Sequence, residues 1–292
     1  MLRTVALAAI LSACSASAFA APDWSRVDAA LGRAGGVQPD GVHRYSFPRS
    51  DLKVSLDGVA VKPALALGSW LAFQPTGDTA MVMGDLVLTE EEVNPVMSRL
   101  LQNGLSVTAL HNHLLRSAPR TMYMHVHGRG DPGTMAMALR SALALSRTPL
   151  GPPAPVAAQA ALDLDTGTLD RIIGWPGKSN GGVYQFSIPR PDRIVDAGMA
   201  VPHSMGLANA LNLQPTGHGK AVATGDFVLL QREVDPVLRA LRTANIDVTA
   251  LHNHLGQERP RLFFMHFWAN GSAAAIARGL RKALDATAIR PR

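Results

Sequence analysis

The 292-residue chain has a single cysteine, Cys14, so no disulfide can form within it. Its stability has to come from core packing. Charged residues make up 17% of the chain and hydrophobic residues 47%, a balance that suits globular cores and excludes disorder as the general state. No stretch reaches 18 apolar residues, so no membrane span is expected. The net charge is +6, yet the basic residues are scattered with no run of five or six. That spread argues against a nucleic-acid partner and leaves a metal ion or a small molecule as the expected partner. The chain also lacks a Gly-x-Ser-x-Gly elbow, a P-loop, a Rossmann fingerprint and a His-Glu-x-x-His pair, so no organic cofactor is indicated.

The N-terminus has an export pattern over residues 1–21. Arg3 gives a positive start, Val5 to Leu11 an apolar run, and Ala18-Phe19-Ala20 the small-x-small form of a leader-peptidase site. The expected location is periplasmic or secreted. An alternative is written in Leu11-Ser12-Ala13-Cys14, which has lipobox shape and would anchor the chain to the cell envelope through a lipid on Cys14.

The rest of the chain repeats itself. Gln74-Pro75-Thr76-Gly77 returns as Gln214-Pro215-Thr216-Gly217, and Glu92-Val93-Asn94-Pro95-Val96 as Glu233-Val234-Asp235-Pro236-Val237. Ser46-Phe47-Pro48-Arg49 matches Ser187-Ile188-Pro189-Arg190. Residues 84–130 and 225–271 align without a gap, with close to half of the positions identical. This predicts one repeat domain over 22–147, a Pro/Ala-rich linker over 148–160 and a second repeat domain over 161–292. In each copy the order of elements is strand, strand, helix, strand, strand, helix. That order predicts two tandem α+β domains, each a mostly antiparallel sheet with helices on one face, related by a pseudo-twofold axis. Within the first copy, Leu65 to Gln74 reads as a strand and Gly128 to Gly133 as a turn. The oligomeric state is left open.

Seven of the ten histidines fall in two matching windows. They are His111, His113, His125 and His127 in the first copy, and His252, His254 and His266 in the second. Trp268 stands where His127 does, and Phe264 where Tyr123 does. Residues two apart on a strand share a face. A hairpin register pairing 111 with 125 and 113 with 123 would therefore gather the imidazoles of each copy into one cluster. Three or four imidazoles suit a transition metal, zinc first and copper as the alternative; an open position would activate water for hydrolysis. Two other readings stay open: a polar pocket without metal, and histidines that only hydrogen-bond the backbone. Met122 and Met124 alternate with the histidine face and are expected in the core.

The catalytic candidates are the carboxylates kept in both copies. Asp85 and Asp226 each follow a glycine, where a base, a metal ligand or a turn residue are the alternatives. Glu92 forms a capping-box pattern with Thr89. Glu233 faces Leu230, which has no hydroxyl, so helix-dipole complementarity remains as its ordinary role.

These residues carry a family resemblance. Gly182-Val183-Tyr184, Pro189-Arg190, Gly225-Asp226, Glu233-Val234, Val248-Thr249-Ala250-Leu251-His252-Asn253-His254 and Met265-His266 resemble the LppY/LpqO family of exported bacterial proteins. Both copies match. The resemblance implies export, sometimes as a lipoprotein, and no established activity, substrate or cofactor.

Overall fold

The computed structural model describes residues 22–152 and 161–290. The expected export segment over 1–21, with Cys14, and most of the Pro/Ala-rich stretch over 148–160 lie outside the described residues.

The first copy opens with α1 (Trp24–Leu31), capped by the Asp23 carboxylate on the Ser25 N–H. Then come β1 (His43–Pro48), β2 (Gly68–Thr76), β3 (Thr79–Thr89), α2 (Glu90–Gln102), β4 (Ser106–His111), β5 (Thr121–Gly130) and α3 (Pro132–Leu143). The second copy repeats them as α4 (Thr166–Ile173), β6 (Val183–Pro189), β7 (Ala208–Gly217), β8 (Lys220–Leu230), α5 (Gln231–Thr243), β9 (Asp247–His252), β10 (Leu262–Ser272) and α6 (Ala273–Asp285). Each copy is a six-stranded antiparallel sheet. The order is the short strand Gly36–Val37, then β1-β2-β3-β5-β4; in the second copy Lys178–Asn180 precedes β6-β7-β8-β10-β9.

Two local expectations are corrected. Residues Pro63–Ala66 form a helical turn with proline at its start, so β2 begins only at Gly68. The expected turn at Gly128 is strand: β5 pairs with β3 as far as Gly130, and Asp131 then caps α3 by accepting from the Thr134 N–H.

β3 explains the layering. Ala80, Val82, Leu86 and Leu88 point to one face and pack with Val93, Val96 and Leu100 of α2 and Leu139 and Leu143 of α3. Met124 joins this core, as its alternation predicts. Met81, Met83, Asp85 and Val87 point to the other face, which is also buried. What covers that face is the other copy. Ala72, Met81 and Met83 pack with Ile194, Val201, Met205 and Leu207 of the second copy's β6–β7 connection. Reciprocally, Val54, Leu56, Val61 and Leu65 of the first copy's connection pack with Val183, Val222 and Trp268. Each sheet therefore has its own helices on the outside and its partner copy on the inside.

Polar contacts fix this exchange. Gln214 of the repeated Gln-Pro-Thr-Gly motif accepts from the Lys62 N–H (2.9 Å) and donates to Ala60 O (2.8 Å), clamping the first copy's connection onto the second sheet. Trp268 donates its indole N–H to Asp57 (3.0 Å), and Arg129 donates to Asp196 O (2.8 Å) from the opposite side.

Candidate metal centre

The inner faces of the two sheets meet at the histidines. In β5, His125 lies opposite Asp85 of β3; in β10, His266 lies opposite Asp226 of β8. Both carboxylates sit in regular strand ladders, not in turns. Their preceding glycines have a packing reason: a Cβ at Gly84 would meet Trp70 O at 2.6 Å, and at Gly225 it would strike Ala210 O.

The hairpin register differs from the expected one by two residues. Ala109 pairs with His125 and His111 with Tyr123, and an extra residue, Thr108, forms a bulge between Val107 and Ala109. β4 ends at His111, so His113 sits on the following loop. Thr249 makes the same bulge in β9. A two-residue shift keeps every side chain on its original face, so convergence survives the wrong register. The Thr and Asn of the Val-Thr-Ala-Leu-His-Asn-His run have structural partners. Asn112 donates to the Thr249 carbonyl (3.1 Å), and the Thr249 hydroxyl donates to His113 O (2.7 Å), tying the two edge strands together. In the second copy Asn253 donates to Leu262 O within its own loop.

The larger departure is that the copies do not keep separate clusters. Six imidazoles from both copies form one cluster of three face-to-face pairs. His111 lies on His252 (ring centroids 3.6 Å apart), His113 on His266 (3.8 Å) and His125 on His254 (3.6 Å). Tyr123 stacks on the outer face of His113 and Phe264 on that of His254, so each extends one of the two outer pairs. Exchanging the two copies maps this set of pairs onto itself, which is the signature of a twofold axis passing between His111 and His252. His127 is not in the cluster. Its Nε2 lies 3.4 Å from Asp196, at the position where Trp268 bonds Asp57.

Four of the ligand candidates, His111, His252, His254 and His266, offer nitrogens all within 4.8 Å of one another. Asp85, His111 and His113 form a second such group. Asp85 Oδ2 is 3.5 Å from His113 Nε2 and 3.6 Å from His125 Nε2. The Nε2 atoms of His111, His113, His125 and His254 are buried without a hydrogen bond, as is Asp85 Oδ1. Buried polar atoms are rarely left unpaired, and a cluster of them marks a place for a ligand.

Burial, reinforced by neighbouring imidazoles, keeps the rings neutral. It lowers His111 to about 3, and burial takes His252 down to about 4. His113, His125, His254 and His266 are pushed well below the usual histidine value for the same reason. Burial raises Asp85 to about 8, with the nearby Asp226 adding to the effect. Asp226 keeps some surface exposure but is surrounded by protein, and desolvation raises it to about 7.

Glu92 and Glu233 are taken up elsewhere. Glu92 accepts from Arg49 (2.8 Å) and from the Thr89 N–H (2.9 Å); Glu233 accepts from Arg190 (2.7 Å) and from the Leu230 N–H (2.8 Å). Neither arginine has its glutamate partner nearby in sequence to mark that role. The retained Pro-Arg pairs were the available signal.

Comparison with curated proteins finds no match. Two solved structures are similar at a low level. A trimeric bacterial microcompartment shell protein, PduB, is 12% identical over 86% of this chain and 90% of its own, with a TM-score of 0.22. EtuB from Clostridium kluyveri is 10% identical over 86% and 88%, with a TM-score of 0.20. Scores this low carry no argument about fold or function. A family model described as Domain of Unknown Function (DUF1259) matches residues 25–145 and again residues 167–286. The chain belongs to that family and carries its domain twice.

Proposed function

We propose that the protein binds a divalent transition metal at the junction of its two copies. His252, His254 and His266 hold the ion, and His111 of the other copy completes the set. One observation carries this reading. His266 Nε2 and His252 Nε2 face each other at 2.9 Å. The Nδ1 of His266 lies 3.1 Å from Gly225 O, and that of His252 lies 3.3 Å from Asn253 O. A carbonyl only accepts, so in each neutral ring the hydrogen sits on Nδ1 and the Nε2 is bare. Two lone pairs then point at each other in a dry site, an arrangement that a shared cation turns from repulsive to favourable. Two nitrogens each about 2.0–2.1 Å from one tetrahedral ion stand about 3.3 Å apart, so a small opening of this pair admits it. Backbone carbonyls that fix the Nδ1 tautomer are the ordinary supports of metal-bound imidazoles.

Zinc is the first choice because the donors are nitrogens and the site is enclosed. Met81 and Met83 are used in apolar packing, which leaves copper without its soft ligands. An ion with an open position would activate water, so hydrolysis is the activity class to assay. The leader pattern and the LppY/LpqO resemblance support an exported protein, periplasmic or lipid-anchored through Cys14. The rival reading is a small-molecule or envelope-interaction module without metal.

The test is elemental analysis of the purified chain after dialysis against zinc, copper or nickel. At least one tightly held ion per chain is expected, lost in His266→Ala. A wild-type protein that retains none of the three metals defeats the proposal and leaves the rival reading.

A further inference from the structure

The donor atoms outnumber what one ion can use. A four-coordinate ion at His111, His252, His254 and His266 leaves His113 Nε2, His125 Nε2 and Asp85 Oδ1 buried and without hydrogen bonds. The two histidines flank the Asp85 carboxylate, itself 5% exposed. Asp85 Oδ2 stands 3.5 Å from His113 Nε2 and 3.6 Å from His125 Nε2. These separations are too long for hydrogen bonds. They are close to the gap of about 3.3 Å that separates two ligands of a tetrahedral ion bound at about 2.0–2.1 Å. The equivalent Asp226 makes no ion pair with a histidine among the described residues, so only the first copy has a carboxylate in reach.

We infer that the junction takes a second divalent ion, held by Asp85, His113 and His111. This inference rests on the metal-binding reading above and deepens it. The three donors lie within 4.8 Å of one another, as the first group does. His111 belongs to both groups through the same nitrogen, because its Nδ1 is turned to Asn112 O at 3.4 Å. One nitrogen serves one ion at a time. When the second ion is bound, His111 goes to it, and the first ion keeps three histidines with an open fourth position. The second ion, with three protein ligands, is also open. Three protein ligands and a free position is the arrangement that lets a metal bind and activate water, whereas four histidines on one ion would close it. Filling the second position is thus what converts a closed centre into one able to carry a reacting group.

The experiment is stoichiometric. The full chain is stripped with a chelator, titrated with zinc alone, freed of excess metal by gel filtration, and its zinc content measured. Two ions per chain are expected for the wild type, and one for the near-isosteric Asp85→Asn. A wild type that saturates at one ion overturns this inference and leaves the single-ion proposal standing. A wild type that binds none overturns both. An Asp85→Asn protein that still binds two overturns the assignment of Asp85. If that variant does not fold, the wild-type stoichiometry decides alone.

Discussion

Arg49 and Arg190 are the largest fully buried side chains among the described residues, and both carry a charge. Each is held by two carboxylates: Arg49 by Asp51 and Glu92, Arg190 by Asp192 and Glu233. Each also donates to a carbonyl of the central strand, at Val87 O or Val228 O. The group thus pins a helix N-terminus to the middle of the sheet in both copies. Replacing the arginine by leucine leaves a buried glutamate without its counter-charge, a change that costs about 3–5 kcal/mol. Chemical denaturation of Arg49→Leu and Arg190→Leu should show losses of that order. A loss within ±0.5 kcal/mol, as for an ordinary surface change, would mean that water reaches the glutamate. Part of this was legible in the sequence: Pro48-Arg49 and Glu92 are each kept in the second copy. Their partnership was not, because a separation of 43 residues carries no local signal. The absence of a hydroxyl at Leu230 hid the role of Glu233, which needs only the backbone N–H at that position and the arginine.

The strands and helices that alternate clearly were readable, and the faces they bury followed from parity. Registers were not. Thr108 looks like any other strand residue, yet its insertion shifts the β4–β5 pairing. The Gly-Asp pairs read equally well as turns, because a glycine's role as a point of close approach depends on a strand distant in sequence. Gly225 shows the consequence. It lies in β8 opposite Leu211 of β7, and its carbonyl receives the His266 Nδ1–H. A methyl group there has to push β7 away, so Gly225→Ala should lose about 1–3 kcal/mol through overpacking. The loss should exceed that of Gly84→Ala, whose Cβ has slightly more room. Thermal melts of the two variants compare them directly, and equal melting points would show that the closer approach of β7 at Gly225 adds no cost. Because His266 hangs from the same carbonyl, Gly225→Ala should also weaken metal retention more than Gly84→Ala does.

At the scale of the molecule, the duplication was visible but its consequence was not. A repeat shows that two copies exist, and nothing in it says which faces meet. The clue lay in β3 and β8, which are apolar on both faces and so require a cover on each side. That cover is the other copy, and it brings six neutral histidines to one place. Folding therefore depends on pH in a direction that can be worked out. An unfolded histidine titrates near 6.5, whereas these rings titrate far lower in the fold, His111 at about 3 and His252 at about 4. Between those limits the unfolded chain binds more protons. The histidine contribution is complete above about pH 6.5 and falls as pH drops towards 4, by up to about 1.4 kcal/mol per pH unit for each ring. Asp85 and Asp226 act the opposite way. Their raised values, about 8 and about 7, mean that the fold holds protons the unfolded chain has released, so acid favours them. Two carboxyls do not offset six imidazoles, and the net effect is loss in acid. Metal-free protein should melt at a lower temperature at pH 5 than at pH 7. Metal should raise both values, and less at pH 5, because protons compete for the same nitrogens. A metal-free melting point that is flat or rises between pH 7 and pH 5 would mean that the folded cluster takes up protons, and the bare-nitrogen basis of the metal proposal would go with it.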